Sequence, residues 1–443
     1  MSATLPSTTV TNVAPTPAIK PARWNQILHP LAPAELVEEA ASDYAPWIQS
    51  VVNPGAKHRD RTGTPLARDM MREAGALGLL GYTLPREVGG LARSWREWGF
   101  TLHEIGYYTD DTALPMLLAY CSTVTKLLHD TGRADLIAKY VRPMVRGEIL
   151  GGFAWSEGHD PFSFKTTLTK NATGYVLTGA KTPIANGLIA DVVMVFATDA
   201  ETGDVVTVLV ERNDAGVEIE GYNSMGLRSA GLAAWRFHNV KLPADRVIVG
   251  DDGLSWGQRF LNERRLEMPC WALGRMKRLF ESCVHDLATR IRYERPLTEM
   301  QTIQAALGKM TISLESCRIM VRSTLDRIGE EGCDFLWEPQ LAILKSHVIE
   351  QALQLVRVVQ DITGGYAVFE GAPYERTIRD LQCLNPIAGT LATLQVDLGI
   401  LAADEVQRQL RARNTNRRRE TTHGDQTVRK SPQVFEFPKR DQG

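Results

Sequence analysis

The spacing of apolar residues changes twice along this chain, and that change limits the fold more than any single motif does. Over residues 33–149, segments such as LAPAELVEEAASDYAPWIQSVV and PLARDMMREAGALGLLG repeat apolar residues at three and four positions, the period of an amphipathic helix. Over residues 150–253 the period falls to two. DVVMVFATD, VVTVLVER and AAWRFHNVKL are alternating, β-branched runs, and TGD and NDAG between them are turn formers. Over residues 254–410 the helical period returns in longer runs. Thr298 stands as an N-cap, and beyond it Ile303, Leu307, Met310, Leu314, Cys317, Val321, Leu325 and Ile328 form one apolar stripe. LAILKSHVIEQALQLVRVVQ is apolar on most faces, as expected at the centre of a bundle or at a subunit interface. The predicted class is α+β, mainly α: an N-terminal helical domain, a central antiparallel β domain and a C-terminal helical domain.

Two flanks complete the layout. Residues 1–32 are rich in Ser, Thr and Pro and are expected to be a disordered leader. Residues 411–443, with RARNTNRRRE and VRKSPQVFEFPKR, are expected to be a basic flexible tail, with docking to another subunit, an acidic carrier protein or nucleic acid as the alternative use. The whole chain of 443 residues carries a net charge of −2, which gives no general argument for nucleic-acid binding. Cys121, Cys270, Cys283, Cys317, Cys333 and Cys383 show no CxxC spacing, which argues against a metal site or a disulfide framework and suits a reducing cytoplasm. No apolar run approaches membrane-spanning length. The strands lie close enough for hairpins and no GxGxxG opens a helix, so a dinucleotide-binding βαβ domain is not expected.

Five segments, in order, carry a resemblance. GFAWSEGHD resembles a strand and loop typically ending T-E-P-G. GYVLTGAKTPIANGLIADVVMVFA resembles strands reading K-x-W-I-T-N-G. SMGLRSAGLAAWRFHNVKLPADRVIVG resembles an M-G-x-R segment followed by V-P. Residues 290–301 fit an Arg-x-x-Phe-Gly…Gln spacing. Residues 364–390, GGYAVFEGAPYERTIRDLQCLNPIAGT, resemble a closing signature that usually ends Glu-Gly-Thr. Together they make residues 33–405 similar to the acyl-CoA dehydrogenase family. The resemblance implies that the C-terminal domain is a four-helix bundle and that the cofactor is FAD, bound between the β domain and the C-terminal helices. It implies an acyl thioester substrate, on CoA or on acyl-carrier protein. It also implies a homotetramer or dimer, with a hetero-oligomer as a variant.

The same resemblance assigns the site. Ser156 falls where a hydroxyl or backbone group bonds the flavin ring, and Ala185 where a Thr hydroxyl usually bonds flavin N5. Pro183 replaces a Trp packed on the flavin face. Arg290 matches an arginine that reaches a neighbouring subunit's pyrophosphate, a role its bidentate donors suit; a surface arginine is the alternative. Gly364 and Gly365 match a glycine pair where backbone approaches cofactor, although tight packing alone would also require them. Asp361 falls where a pyrophosphate-binding Gln is common, and an acid there is unfavourable. Tyr293 and Glu294 replace the Phe-Gly pair.

Ala388 is the largest departure, because the family's base is the Glu of that closing tripeptide and a methyl group accepts no proton. Its N–H remains, so the implied oxyanion contact to the thioester survives. Some family members place the base on the first long C-terminal helix, just before an Arg-Leu; here Arg264 occupies that position in LNERRLEMPCWALG. Glu267, three residues on, shares Arg264's helix face, and Pro269 close behind would distort the helix and favour a one-turn shift. Glu263 lies about 100° away around the helix. His159 is a further candidate, and a surface Glu267 paired with an arginine is the alternative to catalysis. Three readings stay open. One is α,β-oxidation of an acyl thioester with Glu267 as relocated base, which the retained layout favours. Another is a flavin monooxygenase or other non-dehydrogenating enzyme. The last is a non-catalytic subunit of a hetero-oligomer.

Overall fold

The computed structural model describes residues 28–158, 164–249, 252–331 and 339–422. The first helical layer contains α1 (Ala34–Glu39), α2 (Ala45–Trp47) and α3 (Asn53–Thr62), joined by π-helical turns, then α4 (Arg68–Ala76), α5 (Trp95–Tyr108), α6 (Ala113–Asp130), α7 (Ala134–Leu136) and α8 (Arg142–Val145). Leu28, Leu31 and Ala32, just before α1, are already buried. The start of α5 is written locally. Ser94 accepts from the Glu97 N–H at 3.1 Å and Glu97 accepts from the Ser94 N–H at 2.8 Å, a reciprocal capping box.

The strands β1 (Gly151–Ala154), β2 (Thr167–Asn171), β3 (Gly174–Ile184), β4 (Val192–Asp199), β5 (Val205–Glu211), β6 (Val217–Gly221), β7 (Ala233–Leu242) and β8 (Val247–Val249) form one sheet in the order β6-β7-β3-β2-β4-β5-β8, with β1 on β4. The antiparallel pairing expected of hairpins holds for β2–β3, β3–β7, β6–β7, β4–β5 and β5–β8. The sheet is nonetheless mixed, because β1 and β2 both run parallel to β4. No tight turn joins those pairs; β4 is reached only after the chain has passed through β3, so nothing imposes a hairpin on them. The TGD and NDAG turns do bend the chain, with Gly203 and Gly216 at φ +78° and +94°.

The second helical layer holds α9 (Gly253–Thr289), a two-residue hairpin of β9 (Ile291–Arg292) and β10 (Arg295–Pro296), α10 (Gln301–Glu331), α11 (Pro339–Thr363), α12 (Glu375–Gln382) and α13 (Leu391–Thr422). Helix α9 runs unbroken through Pro269. Thr298 is not an N-cap: it lies in a 3-10 turn, Leu297–Glu299, before α10 begins at Gln301, and its carbonyl accepts from the Gln304 amide. The stripe itself is as expected, buried from Met310 to Ile328. Helix α13 continues past residue 411, where a flexible tail was expected, to Thr422; its Gln, Arg, Ala and Glu content favours helix. The rest of that tail, and residues 1–27 of the leader, lie outside the described residues. The chain forms one compact unit up to Leu394 and a second from Gln395 onward.

Two contacts position the site within the first unit. Helices α5 and α9 cross at glycines: a Cβ on Gly106 or Gly274 would overlap the backbone of Trp271 or His103. The end of β1 is fixed against α6 and α9. The Tyr120 hydroxyl accepts from the Phe153 N–H and donates to its carbonyl, Phe153 stacks on Phe260 with centroids 3.6 Å apart, and Trp155 fills the space a side chain at Gly257 would need.

Candidate active site

Ser156 and Ala185, expected to face the flavin, lie at the neighbouring ends of β1 and β3. Ser156 follows β1, is exposed, and accepts the Thr182 N–H at 2.7 Å through its carbonyl. That bond brings it beside Pro183, exposed, and Ala185, half-buried. A buried ion pair fixes the loop: Lys181 on β3 donates to Glu157 at 2.7 Å and to the Trp155 carbonyl at 2.9 Å. Burial lowers the Lys181 amine to about 8 despite the attraction of Glu157. His159 lies outside the described residues.

A second group gathers where α9 and α11 end. Arg290 caps α9, donates to Asp286 at 3.2 Å and to the Thr363 carbonyl at 3.4 Å, and lies 4.5 Å from the Tyr366 ring centre. Gly364 directly follows α11 with φ +63°, the left-handed turn that ends many helices. A Cβ on Gly364 would meet nothing within 4 Å, and one on Gly365 only the Phe369 ring at 3.4 Å. Tight packing therefore does not require either glycine. The turn is exposed, as is Asp361.

The Ala388 loop is held by its carbonyls. Arg265 on α9 donates to the Ala388 carbonyl at 3.1 Å. Lys345 on α11, with no exposed surface, donates to the carbonyls of Asn385 at 2.8 Å and Gly389 at 2.5 Å. Asn385 also accepts the Leu391 N–H, closing the loop onto the start of α13. Ala388 itself takes φ +56°, a conformation uncommon outside glycine, Asn and Asp. Its N–H meets no acceptor among the described residues. Burial, with the Arg265 charge adding to it, lowers the Lys345 amine to about 7.

Facing α5 and α6, helix α9 presents a buried polar cluster. Glu267 is 1% exposed, pairs with the Arg264 guanidinium and accepts from the Trp98 indole at 2.7 Å. Arg264 also donates to the Thr123 hydroxyl and lies over the Phe260 ring, 5.2 Å from its centre. Glu263 is buried too, and burial raises its carboxyl against the attraction of Lys126 and a bond from Thr123. Glu267 is thus an interior carboxylate with an arginine partner, rather than a surface one. Sequence reasoning missed Lys345, Arg265 and Thr123. For Lys345 there was a signal: one lysine in the otherwise apolar LAILKSHV.

The FAD fit can be judged from these groups. The Ser156–Ala185 edge is open to a planar ring, and an open glycine turn beside a guanidinium suits a pyrophosphate. Asp361 opposes that anion, but it is exposed to solvent, where its charge is screened.

Comparison with known proteins follows the same arrangement. Residues 35–148, 153–240 and 251–402 match, respectively, the N-terminal, middle and C-terminal domain models of acyl-CoA dehydrogenase. A 3-(aryl)acrylate reductase of Clostridium sporogenes is 25% identical over 82% of this chain and 96% of its own length. The human mitochondrial short-chain specific acyl-CoA dehydrogenase is 26% identical over 72% of this chain and 79% of its own. Among solved structures, the prolyl acyl carrier protein oxidase AnaB superposes with a TM-score of 0.78 at 21% identity, covering 84% of this chain and 99% of its own. A Mycobacterium smegmatis glutaryl-CoA dehydrogenase in complex with FADH2 gives 0.77 at 21% identity, covering 83% and 94%.

Proposed function

The chain belongs to the acyl-CoA dehydrogenase family, and we propose that it is an FAD-dependent oxidoreductase acting on the α,β-bond of an acyl thioester, with Glu267 handling the proton that Ala388 cannot. The observation that carries this reading is the Ala388 loop. Its carbonyls at 385, 388 and 389 are drawn back by Lys345 and Arg265, and among the described residues the Ala388 N–H has no acceptor. An N–H held in this way is a donor for an oxyanion, and the loop retains it although the base is gone.

When bound, FAD supplies the two-electron acceptor. Ser156 and Ala185 would border its ring. Gly364, Gly365 and the Arg290 beside them would meet its pyrophosphate together, from a neighbouring copy in a homotetramer or dimer. Asp361 weakens that end. The thioester carbonyl lies against the Ala388 N–H, which makes the α-proton more acidic. Glu267 is the proposed acceptor of that proton; it faces α5 and α6 and is engaged by Arg264 and Trp98, so proton transfer requires Arg264 to swing aside and the Glu267 side chain to turn towards the substrate. That same engagement favours a second reading, in which the fold and cofactor are kept without dehydrogenation, in an oxygen-using enzyme or a partner subunit.

The test is the flavin spectrum of the purified protein without oxygen, before and after a panel of acyl-CoA and acyl-pantetheine thioesters. Bleaching establishes dehydrogenation, and loss of bleaching in Glu267→Gln with FAD retained assigns the base. Undiminished bleaching in that variant removes Glu267. Bound flavin reduced only by an external donor supports the second reading.

A further inference from the structure

We propose that Lys345 is a positioning residue for the thioester carbonyl: by gripping the backbone on both sides of Ala388, it holds the Ala388 N–H in the orientation that binds the enolate oxygen. This deepens the acyl-thioester reading and rests on it.

Three observations lead here. Lys345 is a fully buried amine inside an apolar stretch of α11, and among the described residues no carboxylate forms an ion pair with it. An amine kept in such a place is costly unless its hydrogen bonds are needed. Both of those bonds go to the short loop that bears the missing base, at Asn385 and Gly389, and none goes to a helix neighbour. Finally, the loop needs holding. Ala388 stands at φ +56° and Gly389 at φ +95°, so two consecutive peptides are turned into the left-handed region, one of them at a residue with a Cβ. Free of its restraints, Ala388 would relax towards negative φ and its N–H would rotate away. Arg265 fixes the middle carbonyl from the opposite helix, and Lys345 fixes the two outer ones. With no carboxylate at 388, this backbone donor and its supports carry the carbonyl activation.

The probe is acetoacetyl-CoA, with acetoacetyl-pantetheine beside it. The α-protons of both are acidic enough to come off without a strong base, and their enolates absorb in the near ultraviolet. Titrating the probe bound to the FAD-loaded protein against pH gives its apparent ionisation constant, and retained FAD and the thermal midpoint report folding. The wild-type protein should make the bound probe ionise at a lower pH than the free probe. Lys345→Met should bind the probe but reduce that ionisation constant by about tenfold, one pH unit, and Lys345→Gln, whose amide still donates, should recover part of it. If Lys345→Met does not fold, the comparison of Lys345→Gln with the wild type decides. A folded variant whose bound probe ionises as in the wild type overturns the positioning role and leaves the thioester reading intact. A wild-type protein that binds neither probe overturns that reading, and this inference falls with it.

Discussion

Glu267→Gln separates what the buried ion pair does for the fold from what the carboxylate does in the reaction. Glu267 is 1% exposed and Arg264 6% exposed, and they pair between α9, α5 and α6. The amide keeps an acceptor for the Trp98 indole, so that bond, worth about 1 kcal/mol, is spared. What is lost is one charge partner of the Arg264 guanidinium, which also faces the buried Glu263 carboxyl. Removing one member of a buried pair costs ~3–5 kcal/mol. Against a total stability of roughly 5–15 kcal/mol, that is a large fraction. In urea, followed by far-ultraviolet circular dichroism, the midpoint should fall by ~1.5–2.5 M at a slope of about 2 kcal/mol/M. The double variant Arg264→Met/Glu267→Leu should recover most of the loss, because replacing both charges by apolar groups of similar size is often neutral. The double-mutant cycle then gives the coupling. A Glu267→Gln midpoint within ~0.3 M of the wild type, equivalent to about 0.6 kcal/mol, would refute the argument: the two charges would not be paired in a dry interior.

Three further outcomes are expected. Burial raises the Glu263 carboxyl, so its charging destabilises the fold as pH rises from its unfolded value through its raised folded value; Glu263→Gln should melt higher than wild type at pH 8 and match it near pH 4, and equal melting at both would show that the side chain reaches water. Tyr293 and Glu294 form the β9–β10 turn at φ +49° and +61°, so Glu294→Gly should stabilise the chain by ~1 kcal/mol, read as a higher thermal midpoint; a loss would mean that the glutamate side chain makes a contact worth more than the strain. Gly274→Val should cost several kcal/mol or prevent folding, because α9 there meets the His103 carbonyl of α5; near-normal expression and melting would mean that the helices can separate.

Much of the molecule was legible in sequence because the information is local. The change of period from helix to strand and back reflects which face of each element must leave water, and the stripe from Met310 to Ile328 is buried as its spacing requires. The TGD and NDAG turns and the alanine at 388 are likewise properties of a few adjacent residues. Where local signals competed, tertiary context decided. Thr298 was available as a cap, yet the chain turned through a 3-10 segment first, and β1 and β2 took parallel places on β4 that no turn residue announces. The chemistry of the site belongs to the second kind. Arg265 meets Ala388 across 123 positions and Trp98 meets Glu267 across 169. No spacing rule relates residues so far apart. The sequence by itself determined which layers form and that position 388 carries no carboxylate; only the packing of α9 against α5, α6 and the Ala388 loop decided which charges meet, because a buried charge takes its role from the partner that packing brings to it.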